Sequence, residues 1–100
     1  NTRWRNKMGS KAVITFKIMP ESPDVDFDSI SKQAEEIAKA AGSLGEMRTE
    51  LEPIAFGLKA VKILAMYDVD GADFDAIIEK FKAIPQVQNA EVAKMDLALG

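Results

Sequence analysis

A five-residue pattern occurs twice in this chain. Asp26-Phe27-Asp28-Ser29-Ile30 is echoed 47 positions later by Asp73-Phe74-Asp75-Ala76-Ile77. In both copies the first aspartate suits a helix N-cap, because its carboxylate can accept the free N–H groups of a first turn. The second aspartate falls inside that turn, where the helix dipole favours negative charge. Each copy follows a strand-like run and opens a helical one. Two strand-then-helix units within 100 residues leave few ways to bury the apolar faces.

The rest of the chain supplies the other elements. Ala12–Met19 reads AVITFKIM. Ala12, Ile14, Phe16 and Ile18 share one face, and Val13, Thr15, Lys17 and Met19 the other, which predicts a strand with one buried side. Pro20 ends it, and Pro23 keeps the following stretch extended. After Asp26, the residues Phe27, Ile30, Ala34, Ile37, Ala38 and Ala41 form a helical stripe, and Gly42 stops the helix. Ser43-Leu44-Gly45 reads as a loop. Glu46–Glu52 alternates Met47, Thr49 and Leu51 with charged residues, a second strand closed by Pro53. Phe56-Gly57 then reads as the opening of a long strand, Leu58–Tyr67. Gly71 marks a turn and Asp73 caps a second helix with Phe74, Ile77, Ile78 and Phe81 on its buried face. Ile84-Pro85 ends it. Val87 to about Met95 forms the last strand, with Ala90 and Val92 inward.

The order is strand, helix, strand, strand, helix, strand. Two split βαβ units with right-handed crossovers give a four-stranded antiparallel sheet with both helices on one face. The expected fold is the ferredoxin-like α+β sandwich, and the length allows one domain.

Composition removes several chemistries. Histidine and cysteine are absent, which excludes disulfides, Cys/His zinc sites, cysteine nucleophiles and histidine-based triads. No apolar run approaches the ~18 residues of a membrane span, and no signal peptide is visible, so a cytoplasmic location is expected. The net charge is −3. Residues 1–7 hold Arg3, Arg5 and Lys7 and no acid, leaving 10 bases against 16 acids in the remainder. An acidic body of this kind argues against sequence-independent nucleic-acid binding. Residues 1–8, with Trp4, read as an N-terminal extension, and residues 9–100 as the domain.

Clusters that could carry chemistry read as ordinary surface. Asp68, Asp70, Asp73 and Asp75 fail as a calcium loop. With Gly71 at the sixth position, the first and twelfth would be Met66 and Ile77, which cannot ligate. No carboxylate pair has the contrasting environments that acid–base catalysis requires, and no glycine loop matches a phosphate cradle. An RNA-recognition sheet needs exposed aromatics on its middle strands. The third strand offers only Tyr67, and Phe16 lies in the core register. No cofactor is expected.

Pro53-Ile54-Ala55-Phe56-Gly57-Leu58 stands apart as an apolar run between two strands. The residues leave two readings open. Ile54 and Phe56 tuck into the core, or a rigid loop presents an aromatic to a partner at low ordering cost.

Met19-Pro20-Glu21-Ser22-Pro23-Asp24-Val25-Asp26 and Glu52-Pro53-Ile54-Ala55-Phe56-Gly57-Leu58-Lys59-Ala60 resemble the archaeal elongation factor 1-beta family. The second segment is also similar to the C-terminal exchange domain of the eukaryotic factor. The resemblance runs from about Met8 to Met95. It implies a ferredoxin-like guanine-nucleotide exchange factor for the elongation factor 1-alpha GTPase, with GDP, GTP and magnesium held by that partner. In the family, the aromatic after Pro-Ile-small meets the GTPase near its magnesium and switch region. That residue is Phe56 here, with Ile54 and Gly57 shaping the contact. In the eukaryotic relative a lysine near the C-terminus approaches the magnesium, and the corresponding position is Leu97, which carries no charge. Lys94 lies an odd number of residues away and is expected on the opposite strand face. Neither nucleic acid nor membrane is implied as a direct partner. Two other readings fit a ferredoxin-like fold: a dimeric small-ligand regulatory domain, and an RNA-binding module.

Overall fold

The structure is a computed structural model that describes residues 11–69 and 71–97. The N-terminal extension read at residues 1–8, with Trp4, lies outside the described residues, as does Asp70 of the acidic cluster. The elements run β1 (Lys11–Pro20), α1 (Phe27–Ala40), β2 (Leu44–Pro53), β3 (Lys59–Asp68), α2 (Phe74–Lys82) and β4 (Val87–Leu97). The four strands pair antiparallel in the order β2-β3-β1-β4. This is the ferredoxin-like α+β plan that the periodicity predicted.

Both copies of the repeated motif do what their chemistry suggests. The Asp26 carboxylate accepts from the Ser29 N–H at 3.1 Å, and the Asp73 carboxylate from the Ala76 N–H at the same distance. The helices cover one sheet face. Ala12, Ile14, Phe16 and Ile18 of β1 and Val61, Ile63, Ala65 and Tyr67 of β3 are buried there with Ile30, Ala34 and Ala38 of α1 and Ile77 and Phe81 of α2. Phe16 is the hub, with ring centroids 5.9 Å from Tyr67, 6.4 Å from Phe74 and 5.1 Å from Phe81. The edge-on arrangements suit the ring quadrupoles.

Tyr67 also closes a helix end. Gly42, with φ of 99°, turns its N–H to the Lys39 carbonyl. The Tyr67 hydroxyl donates instead to the Ala38 carbonyl, at 2.7 Å. A last-turn carbonyl thereby gains a donor from the sheet. Burial pushes the hydroxyl pKa from 10 up to about 12. Folding thus favours the protonated form. Its contribution is full below the unfolded value and is lost as pH rises through the folded one. Chemical denaturation should show stability falling between pH 10 and pH 12, by about 2–3 kcal/mol. Tyr67→Phe should flatten that fall and cost about 1–2 kcal/mol at neutral pH, because the Ala38 carbonyl is left unpaired. An unchanged alkaline slope in Tyr67→Phe would refute the assignment.

Three expectations are corrected. Leu44 and Gly45 belong to β2 rather than to a loop. Leu44 pairs with Met66 and Arg48 with Leu64, so three residues face Ala65 alone in a wide bulge. Gly45 serves it with φ of 69°. Phe56 and Gly57 do not open β3, which starts at Lys59. Leu51 alternates as expected but is 46% exposed, because the helices do not reach this end of an edge strand. β4 also runs on to Leu97 through a bulge. Thr15 pairs with Lys94 and Phe16 with Val92, which makes Ala93 the extra residue.

Candidate functional site

The connection between β2 and β3 is a tight hairpin turn. The Ile54 N–H donates to the Leu58 carbonyl at 2.8 Å, and the Leu58 N–H to the Ala55 carbonyl at 2.9 Å. Between Ala55 and Leu58 stand Phe56 and Gly57, with φ of 56° and 80°. Two positive φ values at the centre define a type I′ turn, whose twist matches that of the flanking strands. Glycine fits its position without strain. A phenylalanine does not, since the left-handed region presses Cβ toward the carbonyl oxygen at a cost of about 1–2 kcal/mol.

That cost is not repaid within the domain. Phe56 is 97% exposed. Of the two readings left open by the sequence, the core-tucked connection is overturned, since Ile54 too is exposed. A strained, fully exposed aromatic on a short hairpin is a candidate contact residue. Pro23 of the β1–α1 loop stands beside the turn, its Cβ 3.8 Å from where a Cβ at Gly57 would lie. On the open sheet face, Lys62 pairs with Glu52 at 2.7 Å. Lys62's hydrogen bond holds the Glu52 carboxyl below the usual carboxylate range, and the same bond raises the Lys62 ammonium.

The structure separates the residues singled out from sequence. Ile54, Phe56 and Gly57 sit together at one end of the sheet. Leu97 sits at the other, where β4 pairs with the start of β1, and Lys94 lies midway along the sheet, opposite Thr15. The length of β3, from Lys59 to Asp68, puts about 30 Å between the two ends. Lys94 pairs with Thr15 on the open face and lies 3.6 Å from the Asp96 carboxylate. Leu97 pairs with Ala12 on the helix-side face and is 63% exposed. The two residues thus occupy opposite faces.

The remaining chemistry is sparse. No group of three or more metal-ligating side chains gathers among the described residues. Asp73 is engaged as a cap. A groove of 520 Å³ opens beside the β2 bulge, with Val13, Leu64 and Met66 at its base and Lys11 and Arg48 at its rim. Phe16 and Tyr67 are buried beneath the helices, so neither middle strand offers a ring for base stacking. No helix among the described residues is long and apolar enough to cross a membrane.

The left-handed phenylalanine and a second strained residue, Gln86, with φ of 73°, were not read from the sequence. The pair Phe-Gly between two strands was the available signal for the first, because Gly at the second central position is typical of this turn. Gln86 had a signal too, as the residue after Pro85 in a turn that favours glycine there.

The family model for the EF-1 guanine nucleotide exchange domain matches residues 13–97. An elongation factor 1-beta of Methanosphaerula palustris is 39% identical over 90 residues, covering 90% of this chain and 99% of that protein. The elongation factor 1-beta of Methanococcoides burtonii is 36% identical over 88% of this chain and 96% of its own length. That of Pyrococcus abyssi is 38% identical over 77% and 84%.

Proposed function

The chain belongs to the family of EF-1 guanine nucleotide exchange domains, and from that premise we propose that the Phe56 hairpin is the surface that engages the GTPase. The chain is a guanine-nucleotide exchange factor for elongation factor 1-alpha in translation. GDP, GTP and magnesium are held by the partner, and this chain performs no covalent chemistry. The site of action is the cytoplasm. The alternatives of a metabolite-binding dimer and an RNA-binding module are not favoured.

The single observation that carries the reading is the exposed, left-handed Phe56. Exchange requires that the factor bind the nucleotide-free GTPase better than the GDP-bound form. A 10⁴-fold preference is about 5.5 kcal/mol of differential binding. An aromatic anchor on a pre-ordered turn can contribute 2 kcal/mol or more of this, since little is left to freeze on docking. Exposed Ile54 would extend the contact. The test is release of labelled GDP from elongation factor 1-alpha at increasing concentrations of this chain. Saturable acceleration is expected, and Phe56→Ala should lower the stimulated rate at least ~10-fold with an unchanged fold. Full stimulation by Phe56→Ala would remove Phe56 from the mechanism.

A further inference from the structure

We infer that Gln86 is a positioning residue for the exchange surface: it locks the β1–α1 loop that stands beside the Phe56 hairpin. This rests on the reading of Phe56 given above.

Gln86 follows Pro85 in the turn between α2 and β4. The Val87 N–H donates to the Ile84 carbonyl at 3.2 Å. Proline followed by a residue of positive φ is the order of a type II turn, where glycine or asparagine is normal at the second position. Glutamine pays conformational strain there, and both of its oxygens act on the same distant loop. Its backbone carbonyl accepts from the Glu21 N–H at 2.9 Å. Its side-chain Oε1 accepts from the Asp26 N–H at 3.4 Å.

The second bond has a specific meaning. Asp26 is the N-cap of α1. In a capping box, the N-cap residue's own N–H is accepted by Glu or Gln at the third helical position. That position is Ser29 here, whose hydroxyl instead accepts from the Gln33 side chain at 3.0 Å. Gln86 thus supplies from another part of the chain the acceptor that a local glutamate would otherwise give. Its two bonds bracket residues 21–26, and between them stands Pro23, the neighbour of Gly57. The path from Gln86 to Phe56 therefore has two links: loop 21–26 held at both ends, then Pro23 of that loop beside Gly57 of the hairpin.

Gln86→Asn separates positioning from stability. Asparagine tolerates the left-handed region well, so the melting temperature should hold or rise. Its side chain is one methylene too short to reach Asp26. The concentration for half-maximal GDP release should rise about fivefold, the size of one hydrogen bond. Gln86→Glu, which keeps an acceptor at the original reach, should restore it. In a Phe56→Ala background, Gln86→Asn should add less than ~2-fold, because residues acting through one another are not additive. Independently of the partner, the Leu58 amide should exchange hydrogen faster in Gln86→Asn. Normal half-saturation in Gln86→Asn while Phe56→Ala is impaired would overturn the positioning role alone. An equal loss in both backgrounds would also overturn it. If Phe56→Ala stimulates fully, the Phe56 reading fails, and the Leu58 amide decides the Gln86 link: faster exchange sustains it and unchanged exchange ends it.

Discussion

Phe56→Asn is expected to make the protein more stable and much less active. Asn-Gly is the preferred pair for a type I′ hairpin, since both residues accept positive φ. Phe56 holds φ of 56° while 97% exposed, so replacing it removes strain and forfeits no core packing. A gain of about 1 kcal/mol would raise the melting temperature of a domain this size by roughly 4–8 °C. Stimulated GDP release should fall roughly 30-fold, the equivalent of a 2 kcal/mol anchor. Thermal melts and GDP-release assays on the same preparation check both halves. A variant that loses stability would show that the turn is not strained. One that gains stability and keeps full activity would show that the ring is idle.

Phe16→Ala should have the opposite profile. Phe16 is fully buried and touches three other rings. Truncating a buried phenylalanine costs about 3–5 kcal/mol, part transfer and part cavity. Against a total stability of roughly 5–15 kcal/mol, the melting temperature should drop by roughly 20 °C. Below its transition the variant should still stimulate release, because Phe16 lies under the helices and not at the hairpin tip. Denaturant titration gives the first number and low-temperature exchange assays the second. A loss below 1 kcal/mol would mean that the ring cluster is not the centre of the core.

These two phenylalanines also mark what the sequence made legible. Phe16 sits in an alternating run whose inner face is wholly apolar, so period alone placed it beneath the helices. The two aspartate caps were readable for the same reason: a local pattern satisfied by local bonds. Phe56 was not settled by pattern, because an apolar residue between Pro53 and Gly57 fits a tucked connection as well as a displayed one. Its exposure depends on a turn closed by backbone bonds, and its left-handed φ breaks the usual residue preference. Leu51 kept its alternation yet lies exposed, since whether a helix reaches that far is decided by helix length and packing. The bulge at Ala93 left no mark in composition, whereas Gly45 was the available signal for the one opposite Ala65. The separation of Phe56 from Lys94 and Leu97 follows only from strand direction, although the resemblance had grouped them around one magnesium site.

The surplus residue Ala93 has one more consequence. Upstream of it, β4 is tied to the core through Val87, Ala90 and Val92. Downstream, the side on which each residue emerges is set by a single added unit of chain. With one residue more after Ala93, Lys94 would fall opposite Ile14, and the cation and the aliphatic group at that corner would trade places together. The corner's chemical character is therefore carried by a count, and it can be inverted by a one-codon insertion that alters no upstream pairing.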